Sequence, residues 1–407
     1  MSETRHLLDD LQASPPDVRI GLSRAGVTGV EKAIRLRQKL IPARIDCTVD
    51  LPPSQKGVHM SRFPELFEEA IEEVVTESFL VEELAEHIAR HIVSRQSALR
   101  AEVRIEARYP RRRETPVSGL STQELVTLIG IAAATGDGVR RVVGVEALGI
   151  NACPCAQGLV RGHASERLLE AGFEWGDVER ILALVPIATH NQRGRGTLYV
   201  GTAKPIDAEE LADIVERSMS APIYELLKRP DELYVVEHAH LQPRFVEDSV
   251  RVALKSALEE HPDLADADFL YSRQVNFETI HAHEVVAERY GTVGELRAEL
   301  SVEVAARHSE LRDWLGADSA RRWAPRRSRS LSSVASQPTS RAPRSTSRPG
   351  GCARRARSSS CSRSSPDAGC TASRRWTCSG PNSTPPRRRT TCTRRSTPRG
   401  GCLVQTA

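Results

Sequence analysis

The chain is 407 residues long with a formal net charge of +4, but that near-balance averages two unlike parts. Residues 1–323 carry 39 Lys and Arg against 52 Asp and Glu, whereas 324–407 hold 18 Arg, a single acid (Asp367) and no Lys or His. The acidic body argues against nucleic acid as its partner, and no apolar run approaches the roughly 20 residues that span a bilayer.

The first 16 residues are polar, without a signal-peptide core, and read as a flexible N-terminus. Only Cys47, Cys153 and Cys155 precede the basic tail; they offer no disulfide framework and suit a reducing cytoplasm. Val27 to Arg37 and the alternating Ala43, Ile45, Cys47 and Val49 predict two strands, with a turn from Pro52 to Gly57 after them. Pro64 suits the first turn of a helix reaching Val75, and Leu84, Ile88 and Ile92 mark one face of a second helix over Val81 to Arg95. Leu99, Ala101, Val103, Ile105 and Ala107 alternate with charged residues, the pattern of a half-buried strand. Glu124 to Ala134 supplies a fourth strand, ended by the hairpin signal Gly136-Asp137-Gly138.

The same order then recurs. Val139 to Ile150 and Thr197 to Ala203 read as strands, Ala208 to Glu216 and Pro243 to Glu259 as helices, and Asp268 to Asn276 and Thr279 to Arg289 as strands. The result is an α+β fold of two ββααββ modules in tandem, 17–138 and 139–300, each an antiparallel sheet with helices on one face. A helical extension, 301–323, follows. Four-stranded sheets leave open edges, which predicts closure by neighbouring copies.

Residues 324–407 are rich in Arg, Ser and Pro with Trp376 as the sole aromatic, a composition that predicts disorder. Two origins fit: an arginine-rich arm for nucleic acid, or an out-of-frame or read-through extension. Six scattered cysteines without ligand spacing, and no lysine among so many arginines, favour the second.

Chemistry concentrates in a few short segments. Asn151-Ala152-Cys153-Pro154-Cys155-Ala156-Gln157 and Thr189-His190-Asn191-Gln192-Arg193-Gly194 place thiols and an imidazole at the edges of predicted strands, with a predicted helix excursion between them from which a returning strand can set His190 beside Cys153. One thiolate with imidazoles leaves an open coordination position, as catalytic metal sites do, although free cysteines also serve as small buried apolar residues. His281 and His283 share a face if their segment is a strand, with Glu278 of the same parity as a supporting carboxylate; a surface pair is the plainer alternative. Lys56, His59 and Arg62 surround Gly57 ahead of a helix start and suit an anion such as a triphosphate, or form an ordinary basic turn. Lys228, in Leu226-Leu227-Lys228-Arg229-Pro230-Asp231-Glu232, is a phosphate clamp or a solvated helix end. Glu237 is an acid within the apolar stretch Tyr234 to His238; if buried, it can accept two N–H groups from a guanine edge, though most such acids lie on the surface.

These segments, together with Gln55-Lys56-Gly57-Val58-His59-Met60-Ser61-Arg62-Phe63, Pro243-Arg244-Phe245-Val246-Glu247-Asp248 and Asn276-Phe277-Glu278-Thr279-Ile280-His281-Ala282-His283, resemble the GTP cyclohydrolase I type B family, including its archaeal metal-dependent branch. The likeness runs from about Asp17 to Gly291. It implies a tunnelling fold, a homo-oligomer (a tetramer) with active sites at its interfaces, and GTP as substrate. The implied activity is that of a hydrolase of cyclic amidine C–N bonds. It opens the guanine imidazole ring, releases formate and gives 7,8-dihydroneopterin triphosphate, the first step of pterin and tetrahydrofolate biosynthesis. By the same resemblance Cys153 and His190 are catalytic. Cys153, His190, His281 and His283 hold a divalent metal (Zn, Fe(II) or Mn), Glu237 anchors the base, and Lys56, His59, Arg62, Arg193 and Lys228 bind the substrate. Pro222 stands where many bacterial members place a metal-binding Glu, as in the archaeal branch. The alternatives are therefore a 2',3'-cyclic phosphate product, or another tunnelling-fold enzyme of purines or pterins.

Overall fold

The computed structural model describes residues 10–37, 39–74, 80–96, 98–302 and 307–316. The arginine-rich tail, 324–407, lies outside the described residues, as do residues 1–9 of the polar N-terminus. Nine strands form one antiparallel sheet: β1 (Leu22–Leu36), β2 (Lys39–Leu51), β3 (Arg100–Glu114), β4 (Ser121–Thr135), β5 (Val139–Ala152), β6 (Asn191–Gly201), β7 (Ala221–Pro222), β8 (Phe269–Phe277) and β9 (Val285–Thr292). Their spatial order is β1-β2-β3-β4-β5-β6-β8-β9, with the two-residue β7 also paired to β5. The Gly136-Asp137-Gly138 turn makes the hairpin its composition predicts. It closes with Thr135 N–H on the Gly138 carbonyl at 2.8 Å and pairs β4 with β5, so the sheet is continuous across the two halves.

Alternation decides which face is covered. Ala101, Val103 and Ile105 of β3 are fully buried against Leu84, Ile88 and Ile92 of α2 (Val81–Gln96). The same core takes in Phe63 and Phe67 of α1 (Arg62–Val74), Leu211 and Ile214 of α5 (Ala208–Ser218), and Leu254 and Ala257 of α7 (Val246–Glu260). Each such aliphatic or aromatic side chain contributes about 1.5–3 kcal/mol on burial. The opposite face carries a smaller cluster, where Ile129, Ile131, Tyr199 and Phe269 meet Trp314 and Leu315 of α9 (Leu311–Gly316). Arg111 of β3, 4% exposed, lies between Asp213 (2.9 Å) and Glu216 of α5, and Arg113 reaches the same Glu216. This ionic cluster, buried at Arg111 and Glu216, docks a helix of the second half onto a strand of the first.

One segment keeps its expected character and two depart from their sequence patterns. Residues 154–184 form the expected helical excursion between Cys153 and His190 as two helices, α3 (Pro154–Glu170) and α4 (Trp175–Leu184). No residue of α3 is buried, so no inward apolar stripe marks its limits. β6 starts six residues before Thr197, because Gly194 and Gly196 occupy its inward positions and mask the alternation. The stretch 278–284 is a loop, and the next strand starts only at Val285. Two further helices, α6 (Arg229–Leu241) and α8 (Val293–Val302), complete the order. Among the described residues no helix is long and apolar enough to cross a membrane.

Candidate active site

The sheet order sets β5, β6 and β8 side by side, so the end of β5, the start of β6 and the end of β8 share one edge. Their ladders close at Ala152 opposite Asn191 and at Arg193 opposite Phe277. Cys153, His190 and Glu278 are the residues immediately beyond. The Cys153 amide donates to the His190 carbonyl at 3.1 Å, and Thr189 Oγ1 donates to the Cys153 carbonyl at 2.8 Å. Across β6, Thr279 Oγ1 donates to the Asn191 carbonyl at 3.2 Å. His190 Nδ1 lies 3.1 Å from Gln192 Oε1 and 3.9 Å from Glu278 Oε2. Both neighbours are acceptors, so Nδ1 carries the proton on that side and Nε2 is left for other work.

Cys153 is also the N-cap of α3. Its backbone is extended, Pro154 takes the first helical position, and its Sγ accepts from the Ala156 amide at 3.5 Å. The sulfur thus faces the free N–H groups of a helix start, where negative charge is favoured. Cys155, one residue inside the helix, is exposed. Gln157 braces the site from behind, donating to the carbonyls of Ile187 (3.0 Å) and His240 (2.6 Å).

α6 is anchored at its start. Asp231 is fully buried and accepts from Val117 N, Ser118 N, Ser118 Oγ and Lys228 N at 2.6–3.0 Å. Burial works to raise its pKa, but the hydrogen bonds from Ser118, Lys228 and Val117 outweigh it and hold the carboxyl below its usual range. Lys228 is the exposed N-cap. Glu237 is not enclosed in an apolar stretch: it is exposed on α6, and the apolar residues beside it, Leu233, Tyr234 and Val236, are the helix's outward face.

The remaining residues are less closely gathered. Arg193 is exposed on β6. His281 and His283 do not sit on a strand but in the β8–β9 loop, both exposed, with rings stacked at 5.2 Å between centroids. The loop arises because Glu278 and Thr279 turn away to meet His190 and Asn191. Lys56 and His59 belong to the connection from β2 to α1 and Arg62 is the first residue of α1; the connection's ion pairs run to the N-terminal stretch, Lys56 to Asp17 (3.8 Å) and His59 to Asp10 (3.2 Å). β2 and β6 are four strand steps apart, roughly 19 Å at the usual interstrand spacing. Among the described residues no group of three His, Cys, Asp or Glu stands where one ion could be held. The donor types at the shared edge (thiol, imidazole, carboxylate) are those that open divalent sites use. Sequence patterns missed the polar residues beneath the edge, Asn151, Ser220, Ser249 and Asn276, all buried. For Asn151 and Asn276 the signal was a polar residue at an inward strand position; Ser220 and Ser249, off the strands, gave none.

The antiparallel sheet with its main helices on one face is that of a tunnelling fold. The model of the family described as Type I GTP cyclohydrolase folE2 matches residues 8–287, and the chain belongs to that family. It is 42% identical over 306 residues to GTP cyclohydrolase MptA of Methanococcus aeolicus, covering 72% of this chain and 99% of that one. It is 40% identical over 310 residues to GTP cyclohydrolase MptA of Methanosarcina acetivorans, with 72% and 98% covered. Among solved structures it has a distant likeness to the uricase of Arthrobacter globiformis (8% identity, TM-score 0.38, 66% of this chain and 93% of that chain).

Proposed function

We propose that this protein opens the guanine imidazole ring of GTP at the edge formed by β5, β6 and β8, releasing formate and yielding a dihydroneopterin phosphate for pterin and folate-type biosynthesis. The observation that carries the reading is the backbone bond between Cys153 and His190, which sets the two motifs of the cyclohydrolase family at one point. Ring opening needs water added at C8 and a proton delivered to the departing ring nitrogen. His190, with Nδ1 turned toward Gln192 and Glu278, has Nε2 free to deliver that proton. A divalent ion held by Cys153, with His281 and His283 as further donors, would supply Lewis acidity and hydroxide near neutral pH; because Nδ1 faces acceptors and Nε2 delivers the proton, His190 serves as the acid and not as a further ligand. Glu237 accepts the guanine N–H edge, and Lys56, His59, Arg62, Arg193 and Lys228 neutralise the phosphates.

Lys56, His59 and Arg62 are separated from Cys153 within one protomer, so the site is completed by a second copy. The exposed apolar surface supports this: Leu159 on α3, Leu184 on α4, and Leu233 and Val236 on α6 are all more than half exposed. A closed homo-oligomer, a tetramer, covers such surfaces and the open sheet edges together.

A second reading concerns the product. Pro222 pairs with Gly149 on β5, at the place where many bacterial members carry a metal-binding Glu, and both relatives described are MptA proteins. This favours the 2',3'-cyclic phosphate over the triphosphate. Mass analysis of products from GTP, with anaerobically metal-loaded protein, separates the two by their phosphate content. Unchanged GTP overturns both.

A further inference from the structure

The positions beneath Cys153 and Glu278 are filled by amides rather than by apolar side chains. Asn151, fully buried, lies two residues before Cys153 on β5; Asn276, 2% exposed, lies two before Glu278 on β8. β6 runs between those strands, yet the side chains meet across it: Asn151 Nδ2 donates to Asn276 Oδ1 at 2.9 Å. Gly194 opens the passage. It pairs with Asn276 in the ladder, and a Cβ there would stand 2.4 Å from Gln274 Nε2 and 3.2 Å from Asn276 Oδ1.

The partners fix the amide's orientation. Asn151 Oδ1 accepts from Ser220 N at 3.1 Å and from Ser249 Oγ at 3.3 Å, so its other end must donate. Asn276 Oδ1 also accepts from Gln274 Nε2 at 3.1 Å and can therefore only face a donor. Ser220 Oγ in turn accepts from the Ala152 amide at 3.1 Å, beside Cys153. One side chain thus ties β5, β8, the segment leading to Pro222, and α7. Apolar residues of similar shape would fill this space as well, so the network's particular contribution is geometry.

We propose that Asn151 is a positioning residue for ring opening: its bridge across β6 to Asn276 sets where Cys153 and Glu278 stand relative to His190. The proposal rests on the cyclohydrolase reading above. Its test is kcat and KM for GTP in the full-length, metal-supplemented protein, compared between wild type, Asn151→Asp and Asn276→Asp, with melting temperatures alongside. Asn151→Asp sets two acceptors face to face, whereas Asn276→Asp keeps its acceptor role toward Asn151 and Gln274. The expected result is a fall of about tenfold or more in kcat for Asn151→Asp with KM little changed, and a clearly smaller fall for Asn276→Asp. Iodoacetamide should alkylate Cys153 faster relative to Cys155 in the Asn151 variant, a readout independent of turnover. Should Asn151→Asp fail to fold, Asn151→Ala removes the bridge without a charge and should show the same kcat loss. Wild-type kcat in a folded Asn151 variant overturns the proposal, as do equal losses of kcat and melting temperature in both Asp variants. A wild-type protein without GTP turnover overturns instead the functional reading beneath it.

Discussion

The amide of Cys153 and the carbonyl of His190, bonded at 3.1 Å, lock a thiol and an imidazole to the same rung at the end of β5 and β6. Neither can shift along its strand without breaking the other's last ladder bond. The two residues come from motifs 37 positions apart, and the excursion between them is α3 and α4.

Substitution of Cys153 should therefore separate chemistry from folding. Cys153→Ser retains an oxygen able to cap α3, so its melting temperature should stay near wild type while GTP turnover falls by about 100-fold or more. Cys155→Ala, on an exposed first-turn position, should keep most activity. Equal tolerance of both substitutions would show that the motif is not catalytic.

Exhaustive metal removal should abolish turnover and leave circular dichroism and subunit assembly unchanged. An open catalytic site contributes little to folding, and the core described here is built from strands and helices away from Cys153. Full activity in verified metal-free protein contradicts the metal assignment.

Glu237→Gln replaces a carboxylate that can accept two guanine N–H groups with an amide that opposes one of them. The expected cost is about 2–4 kcal/mol in kcat/KM, read from steady-state kinetics on GTP. Because Glu237 is exposed on α6, stability should not change. Wild-type kinetics would make it a surface acid.

Much of this frame was legible from the chain alone. Ala101, Val103 and Ile105 alternate cleanly because one face of β3 packs on α2, and Gly136-Asp137-Gly138 announced the hairpin that joins the halves. What escaped had physical causes. The inward glycines of β6 hide its period, and Glu237 sits in apolar company that faces outward. Local pattern reports burial in the protomer, and the outer face of α6 has none. His281 and His283 misled in another way, since spacing by two implies a shared face only on a strand, and Glu278 and Thr279 turn the chain out of the sheet there.

Stability should also carry a pH signature from the first turn of α2. Glu82 is 3% exposed, and its Oε1 has no hydrogen-bond partner among the described residues. Burial, aided by the neighbouring Glu83, pushes its carboxyl up to about 7 from 4.5. The folded protein thus keeps this proton to higher pH than the unfolded chain, so stability falls as pH rises from about 4.5 to 7. Glu82→Gln should melt higher than wild type at pH 8, by about 1–3 kcal/mol of stability, with the difference vanishing near pH 4.5. A pH-independent difference would show that Glu82 titrates as an ordinary surface acid.

The most direct test of the cyclohydrolase reading follows a single carbon. GTP labelled with carbon-13 at C8, incubated with the metal-loaded protein and watched by carbon NMR, should lose its purine C8 signal as formate appears in equal amount, and Cys153→Ser should stop both changes together. A C8 signal that stays within an intact purine, or formate that appears undiminished without Cys153, contradicts ring opening at the edge shared by β5, β6 and β8.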